Sequence, residues 1–165
     1  MLKPRRSTAA GHRRKFLVVI DGTPECGRAV LYAARRAERT GGGLVMLYCI
    51  VPDEFQHWLG VEAIMRREGE EEGAAVLDEV VNNLHAAAIA IEPERVMRFG
   101  KPSEQIVELI GEDEDIAILV LAAGTGNEGP GPLVSMIGSK AGQSFPVPVT
   151  IVPGTLSDED IEAIA

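Results

Sequence analysis

Five short strand-like runs recur along this chain, each separated from the next by a stretch long enough for a helix. They are "KFLVVI" (Lys15–Ile20), "LVMLYCIV" (Leu44–Val51), "ERVMRFG" (Glu94–Gly100), "IAILVLAA" (Ile116–Ala123) and "PVPVTIVPG" (Pro146–Gly154). Between them lie helical patterns: one with Ala29, Val30, Ala33, Ala34 and Ala37 on one face, and a long one from Val61 to about Ala88. In the long one, Leu77, Val80, Val81, Leu84 and Ala88 form the apolar stripe, while Gly69 and Gly73 weaken the first half. A third begins in "KPSEQIVELI", and a fourth follows a glycine-rich loop through about Gln143. Strict β-α alternation requires a parallel sheet with helices on both faces. The expected fold is therefore a single doubly wound α/β domain. Punctuation supports the boundaries: Thr23 and Ser103 suit helix N-caps, Pro24 suits a first helical position, and "TGGG" (Thr40–Gly43) suits a stop.

Charge divides the chain. Met1–Lys15 carries six Lys or Arg side chains and no acid, so the net charge of −9 leaves −15 on the rest. An acidic body repels nucleic acid, and no nucleic-acid partner is expected. Residues 1–14 read as a disordered basic tail, 15–154 as the α/β domain, and 155–165 as a short C-terminal tail with one or two frayed helical turns. No stretch approaches the ~20 apolar residues of a membrane span. The basic start has no apolar segment after it, so no secretory signal is expected. The two cysteines, Cys26 and Cys49, read as reduced thiols in a cytoplasmic protein. Cys26 lies near a helix start, where its pKa would fall, or else it packs as an inert thiol.

In a doubly wound sheet, ligands sit beyond the carboxyl ends of the strands where strand order reverses. With order 3-2-1-4-5, the reversal lies between the first and fourth strands. Asp21, in "VVIDGT", and the loop "GTGNEGPGPLVSMIGSK" (Gly124–Lys140) would then face one another. An acid at a strand end can accept hydrogen bonds from a ribose or an adenine amine, although it can equally be a turn residue. Glycines allow backbone amides to approach an anion, and Gly138 with Ser139 could add amides and a hydroxyl. "GTGNEG" fits a dinucleotide fingerprint only as a string, because it follows the fourth strand. His12, His57 and His85 share no ligand spacing, "EGEEEG" reads as a solvated helix face, and "GEDEDI" lacks the calcium-loop pattern. No metal ligand is assigned. Phe55 and Trp58 either line a cleft mouth or pack on the long helix.

The chain resembles the universal stress protein family. The likeness rests on "FLVVIDGTPECGRAVLYAARRA", "GKPSEQIVELI", "DIAILVLAA" and "GSKAGQSFPVPVTIVP", and spans roughly Lys15–Pro153. It implies a five-stranded parallel sheet in the order 3-2-1-4-5, a homodimer and, in one subgroup, bound ATP. That subgroup carries G-x-x-G, nine residues, then Gly followed by Ser or Thr. Here Gly126 and Gly129 supply the first pair, or Gly124 does so after a gap shift, and Gly138-Ser139 supply the end. The intervening stretch is eight residues. The resemblance further implies nucleoside contacts from Asp21, Thr23 in the same turn, and the backbone of Cys49 at the adenine edge. Pro130 and Pro132 remove two backbone donors, and Glu128 puts negative charge near a triphosphate unless Mg²⁺ or Lys140 intervenes. The expected function is a stress-response module that binds ATP, with Mg²⁺, or a related adenine nucleotide at the C-terminal ends of the first and fourth strands. The alternative is a dimeric interaction or signalling protein with a vestigial pocket and an unknown protein partner. In both readings the dimer forms through residues 147–153, an apolar edge strand. No catalytic residue is assigned, because no motif places a general base or an arginine finger; at most the chain is a slow ATPase.

Overall fold

The structure is a computed structural model that describes residues 3–51, 61–137, 139 and 145–165. Phe55, His57, Trp58, Gly138, Lys140 and the expected helical stretch up to Gln143 lie outside the described residues, in whole or in part. The elements are β1 (Lys15–Val19), α1 (Cys26–Thr40), β2 (Gly43–Ile50), α2 (Val61–Ala86), β3 (Glu94–Phe99), α3 (Pro102–Glu112), β4 (Ile116–Ala123), α4 (Pro132–Ile137), β5 (Val149–Pro153) and α5 (Asp158–Ile164). All four strand pairings are parallel, and the order is β3-β2-β1-β4-β5. This is the expected doubly wound sheet.

Alternation along β1 builds both cores. Phe16, Val18 and Ile20 join one apolar cluster with α1, α2 and α5, while Leu17 and Val19 join the other with α3. A strand buried on both faces must be apolar at every position, as "FLVVI" is.

The helix starts differ from expectation. Residue Thr23 does not cap α1: Asp21 Oδ1 accepts hydrogen bonds from both the amide of Thr23 (3.0 Å) and its hydroxyl (2.6 Å). That side-chain turn commits the hydroxyl, so α1 begins at Cys26 with Glu25 as its N-cap residue. In α3, Pro102 takes the first position and Lys101 the cap, which moves Ser103 inside the first turn.

The glycines of α2 do not interrupt it. A Cβ on Gly69 would stand 2.8 Å from Ile50 Cγ2, and one on Gly73 would stand 2.8 Å from Tyr48 Cδ1. Spaced four apart, they share one face and let the helix axis lie close on β2. The cost in helix propensity is offset by packing. At the other end, Ala88 is exposed and left-handed (φ 56°), so Ile89 and Ile91 enter the core in its place.

Both termini are held. Residues expected as a frayed tail form α5, closed by a capping box between Ser157 and Asp160, with Ile161 fully buried. Arg35 and Arg39 of α1 both pair with Glu162. The basic arm also lies against the body, contrary to the expected disorder. Arg5 Nη1 donates to the carbonyls of Ile110 (2.7 Å) and Asp113 (2.9 Å), and His12 Nδ1 lies 2.6 Å from Asp115 Oδ1. The acidic "GEDEDI" turn, which holds carbonyls and carboxylates at the end of α3, is what receives the arm.

Candidate functional site

The C-terminal ends of β1 and β4 flank a cleft of about 540 Å³. Asp21, Thr23 and Glu25 form one wall, Leu121 and Ala122 the floor, and Glu128–Gly131 of the loop with the start of α4 (Pro132–Ser135) the opposite wall. The first residues of α1 and α3, Cys26 and Pro102, also reach it. A larger groove of about 710 Å³ separates α1 from α2, walled by apolar side chains such as Leu31, Val80 and Leu84. It touches no part of the glycine-rich loop. The cleft is the candidate site because it lies where strand order reverses.

Of the residues assigned to nucleotide contact from sequence, Asp21, Thr23 and Gly129 line the cleft. Cys49 sits on β2, half-buried against the core on the α3 side, and Gly124, Gly126 and Ser139 are not among the lining residues. Gly138 lies outside the described residues. The loop is folded on itself: the amide of Gly124 donates to the carbonyl of Pro130 (3.0 Å), and that of Gly129 to the carbonyl of Gly126 (3.2 Å). Ser139 follows the end of α4, because Pro132 starts that helix early. Its amide and its hydroxyl both donate to the carbonyl of Met136, at 2.9 and 2.7 Å.

Three residues of the site escaped the sequence reading. Gly131 lines the cleft with φ +104°, a conformation that selects glycine. Pro102 enters from α3, which only the tertiary fold brings near. Glu25 matters most. A Cβ added to Gly124 would stand 3.2 Å from Glu25 Oε1 and 3.0 Å from the carbonyl oxygen of Gly129. The carboxylate therefore lies directly against the loop backbone. Its signal in the sequence was an acid two residues beyond Thr23, at the end of the turn that follows β1.

The thiols carry no sign of activation. Burial pushes Cys26 up to about 11 from 9.0, against the lowering expected of a helix start. Burial likewise pushes Cys49 up to about 11, opposed by the charge of Arg98. At pH 8 both should react with an aromatic disulfide reagent roughly 100-fold more slowly in the native protein than in guanidinium. Rapid native labelling of either would contradict this environment. Among the described residues, no group of His, Cys, Asp and Glu is arranged to hold a metal ion. No helix is long and apolar enough to cross a membrane, also among those residues.

The family model for the universal stress protein family matches residues 12–153. The chain belongs to the universal stress protein family. No curated protein matches it. Among solved structures, universal stress protein UspA from Lactobacillus plantarum is 20% identical, with a TM-score of 0.68 over 84% of this chain and 97% of that one. A universal stress protein family member from Burkholderia pseudomallei is 20% identical, with a TM-score of 0.60 over 84% and 95%. A universal stress protein solved in complex with cAMP is 20% identical, with a TM-score of 0.58 over 86% and 98%. At such identities the likeness of this universal stress protein to the others is one of fold.

Proposed function

We propose that this universal stress protein is a stress-response module that binds an adenine nucleotide in the cleft between β1 and β4. The observation that carries the reading is that Asp21, Thr23 and the Gly129–Gly131 loop converge at the reversal of strand order. Membership of the family, and a member of the same fold in complex with cAMP, support adenine as the base. Asp21 accepts from the nucleoside through the carboxylate that the Thr23 turn already orients. The test is calorimetric titration of AMP and cAMP into wild type and Asp21→Ala. Heat in wild type and none in Asp21→Ala is expected. Silence of wild type toward every adenine nucleotide at millimolar concentration overturns the reading. It would favour a pocket kept only by descent, in an interaction module with a protein partner; the amides of Gly124 and Gly129, which the loop uses itself, favour that second reading.

ATP without a divalent cation fits the described residues poorly. Asp21, Glu25 and Glu128 all line the cleft, and no Lys or Arg is among its described lining residues. We propose no hydrolytic step.

The homodimer through β5 remains part of the proposal. Ile151 is 40% exposed on this edge strand, and an apolar edge left open invites pairing. Sedimentation should give a dimer for wild type and a monomer for Ile151→Lys. A wild type that is monomeric at micromolar concentration rejects it.

A further inference from the structure

We infer that the cleft selects its adenine ligand by charge, taking a nucleoside or monophosphate and rejecting polyphosphates in the absence of a divalent cation. The inference rests on the nucleotide reading above and concerns which member of that class the site accepts.

Three observations converge. The first is the wall chemistry. Asp21, Glu25 and Glu128 reach the cleft from the β1–α1 turn and from the loop, so negative charge stands on both sides of any bound phosphate chain. The nearest cation along the chain, Lys101, is exposed beside Pro102 and is not among the lining residues. The second is the loop. A polyphosphate site needs several backbone amides turned outward. Here Pro130 and Pro132 have none, and those of Gly124 and Gly129 are bonded to loop carbonyls. The third is the position of Glu25. Its carboxylate lies beside Gly124, where an added Cβ would stand 3.2 Å from Oε1, so a phosphate approaching this stretch of loop backbone meets its negative charge.

The favourable terms facing an anion are the N-terminal ends of α1 and α3, which meet the cleft at Cys26 and Pro102. Each is equivalent to roughly half a positive charge. Together they match about one phosphate charge, and among the described lining residues each further charge meets carboxylates and no Lys or Arg. At neutral pH the affinity should fall about tenfold for each phosphate beyond the first, or ~1.4 kcal/mol each. A divalent cation would restore part of the loss by neutralising the chain of phosphates.

The experiment is a titration series of adenosine, AMP, ADP and ATP against the full chain, first in a chelator and then with Mg²⁺. It is repeated on Glu128→Gln and Glu25→Gln. In chelator, affinity should descend from AMP through ADP to ATP, and Mg²⁺ should raise ATP more than AMP. Each variant should narrow the ratio of adenosine to ATP affinity by about tenfold. ATP binding in chelator as tightly as AMP overturns the charge selection and leaves the nucleotide site standing. So does an unchanged ratio in both variants. Failure of all four ligands overturns the nucleotide reading itself, and the selection with it.

Discussion

Gly154→Ala is expected to destabilise the protein by about 3 kcal/mol, more than any single change at the cleft. Gly154 is the first residue after β5, and its amide donates to the carbonyl of Ala123 at the end of β4 (3.1 Å). A Cβ there would meet that same carbonyl oxygen closer than real Cβ atoms come, and would also press on Thr125 Cγ2 at 3.0 Å and Glu25 Cβ at 3.3 Å. The first obstacle is backbone, so it cannot rotate away. Relief requires the β4–β5 pairing to open at its end, where β4 passes into the loop of the cleft. The effect should appear as a melting temperature about 9 °C lower and as loss of whatever nucleotide affinity the cleft has. Gly126→Ala is the control: open space surrounds its Cβ and its φ is not positive, so stability should stay within about 0.5 kcal/mol. Equal melting of Gly154→Ala and Gly126→Ala would mean that the backbone near Gly154 adapts, and that the close approach carries no constraint.

Gly154 also shows where the sequence was legible. Apolar runs with helix-length spacers fixed the fold class, since "IAILVLAA" and "FLVVI" can be satisfied only by a sheet covered on both faces. Asp21 and the glycine loop were placed together for the same reason: topology alone brings the ends of β1 and β4 side by side. What single positions do was less visible. The glycines of α2 read as helix breakers because propensity is a local quantity, whereas their role is set by Ile50 and Tyr48, distant in sequence. Thr23 read as a cap because its competing bond to Asp21 is a matter of side-chain geometry. Glu25 went unnoticed because nothing local to it marks that Gly124, far along the chain, will lie beside its carboxylate. The loop motif was recognised as a string, but the two hydrogen bonds that turn its amides inward depend on its folded shape.

Deleting residues 1–14 should lower stability by about 3 kcal/mol and the melting temperature by about 9 °C. A run of like charge with few apolar residues reads as a solvated arm, and such an arm can be removed without consequence. The contacts give the opposite expectation. Arg5 supplies donors to Ile110 and Asp113 at the C-terminal end of α3, where helix carbonyls lack intrahelical partners and the dipole is negative. The same guanidinium reaches the carbonyl of Ile116 at 3.3 Å, so one side chain ties the end of α3 to the start of β4. The amide of Arg6 donates to the carbonyl of Glu114 (2.9 Å), and the carbonyl of Arg14 accepts from the amide of Gly43 at the start of β2 (2.8 Å). Hydrogen bonds from a charged donor contribute roughly 1.5–3 kcal/mol when part-buried, so Arg5→Ala alone should account for about 2 kcal/mol of the loss. Arg5→Lys should recover only part of it: one nitrogen, Nη1, makes all three of these contacts, but an ammonium lacks the second nitrogen, Nη2, that fixes the guanidinium by donating to the carbonyl of Lys3 (3.1 Å). The check is thermal melting of the full chain, the deletion and both Arg5 variants, at low and at high salt. Diffuse attraction between a basic arm and an acidic body would be screened by 1 M salt, which would erase the difference between wild type and deletion. Hydrogen bonds to carbonyls should preserve most of it. A deletion that melts with wild type at both salt concentrations would return the arm to solvent and leave the end of α3 to water.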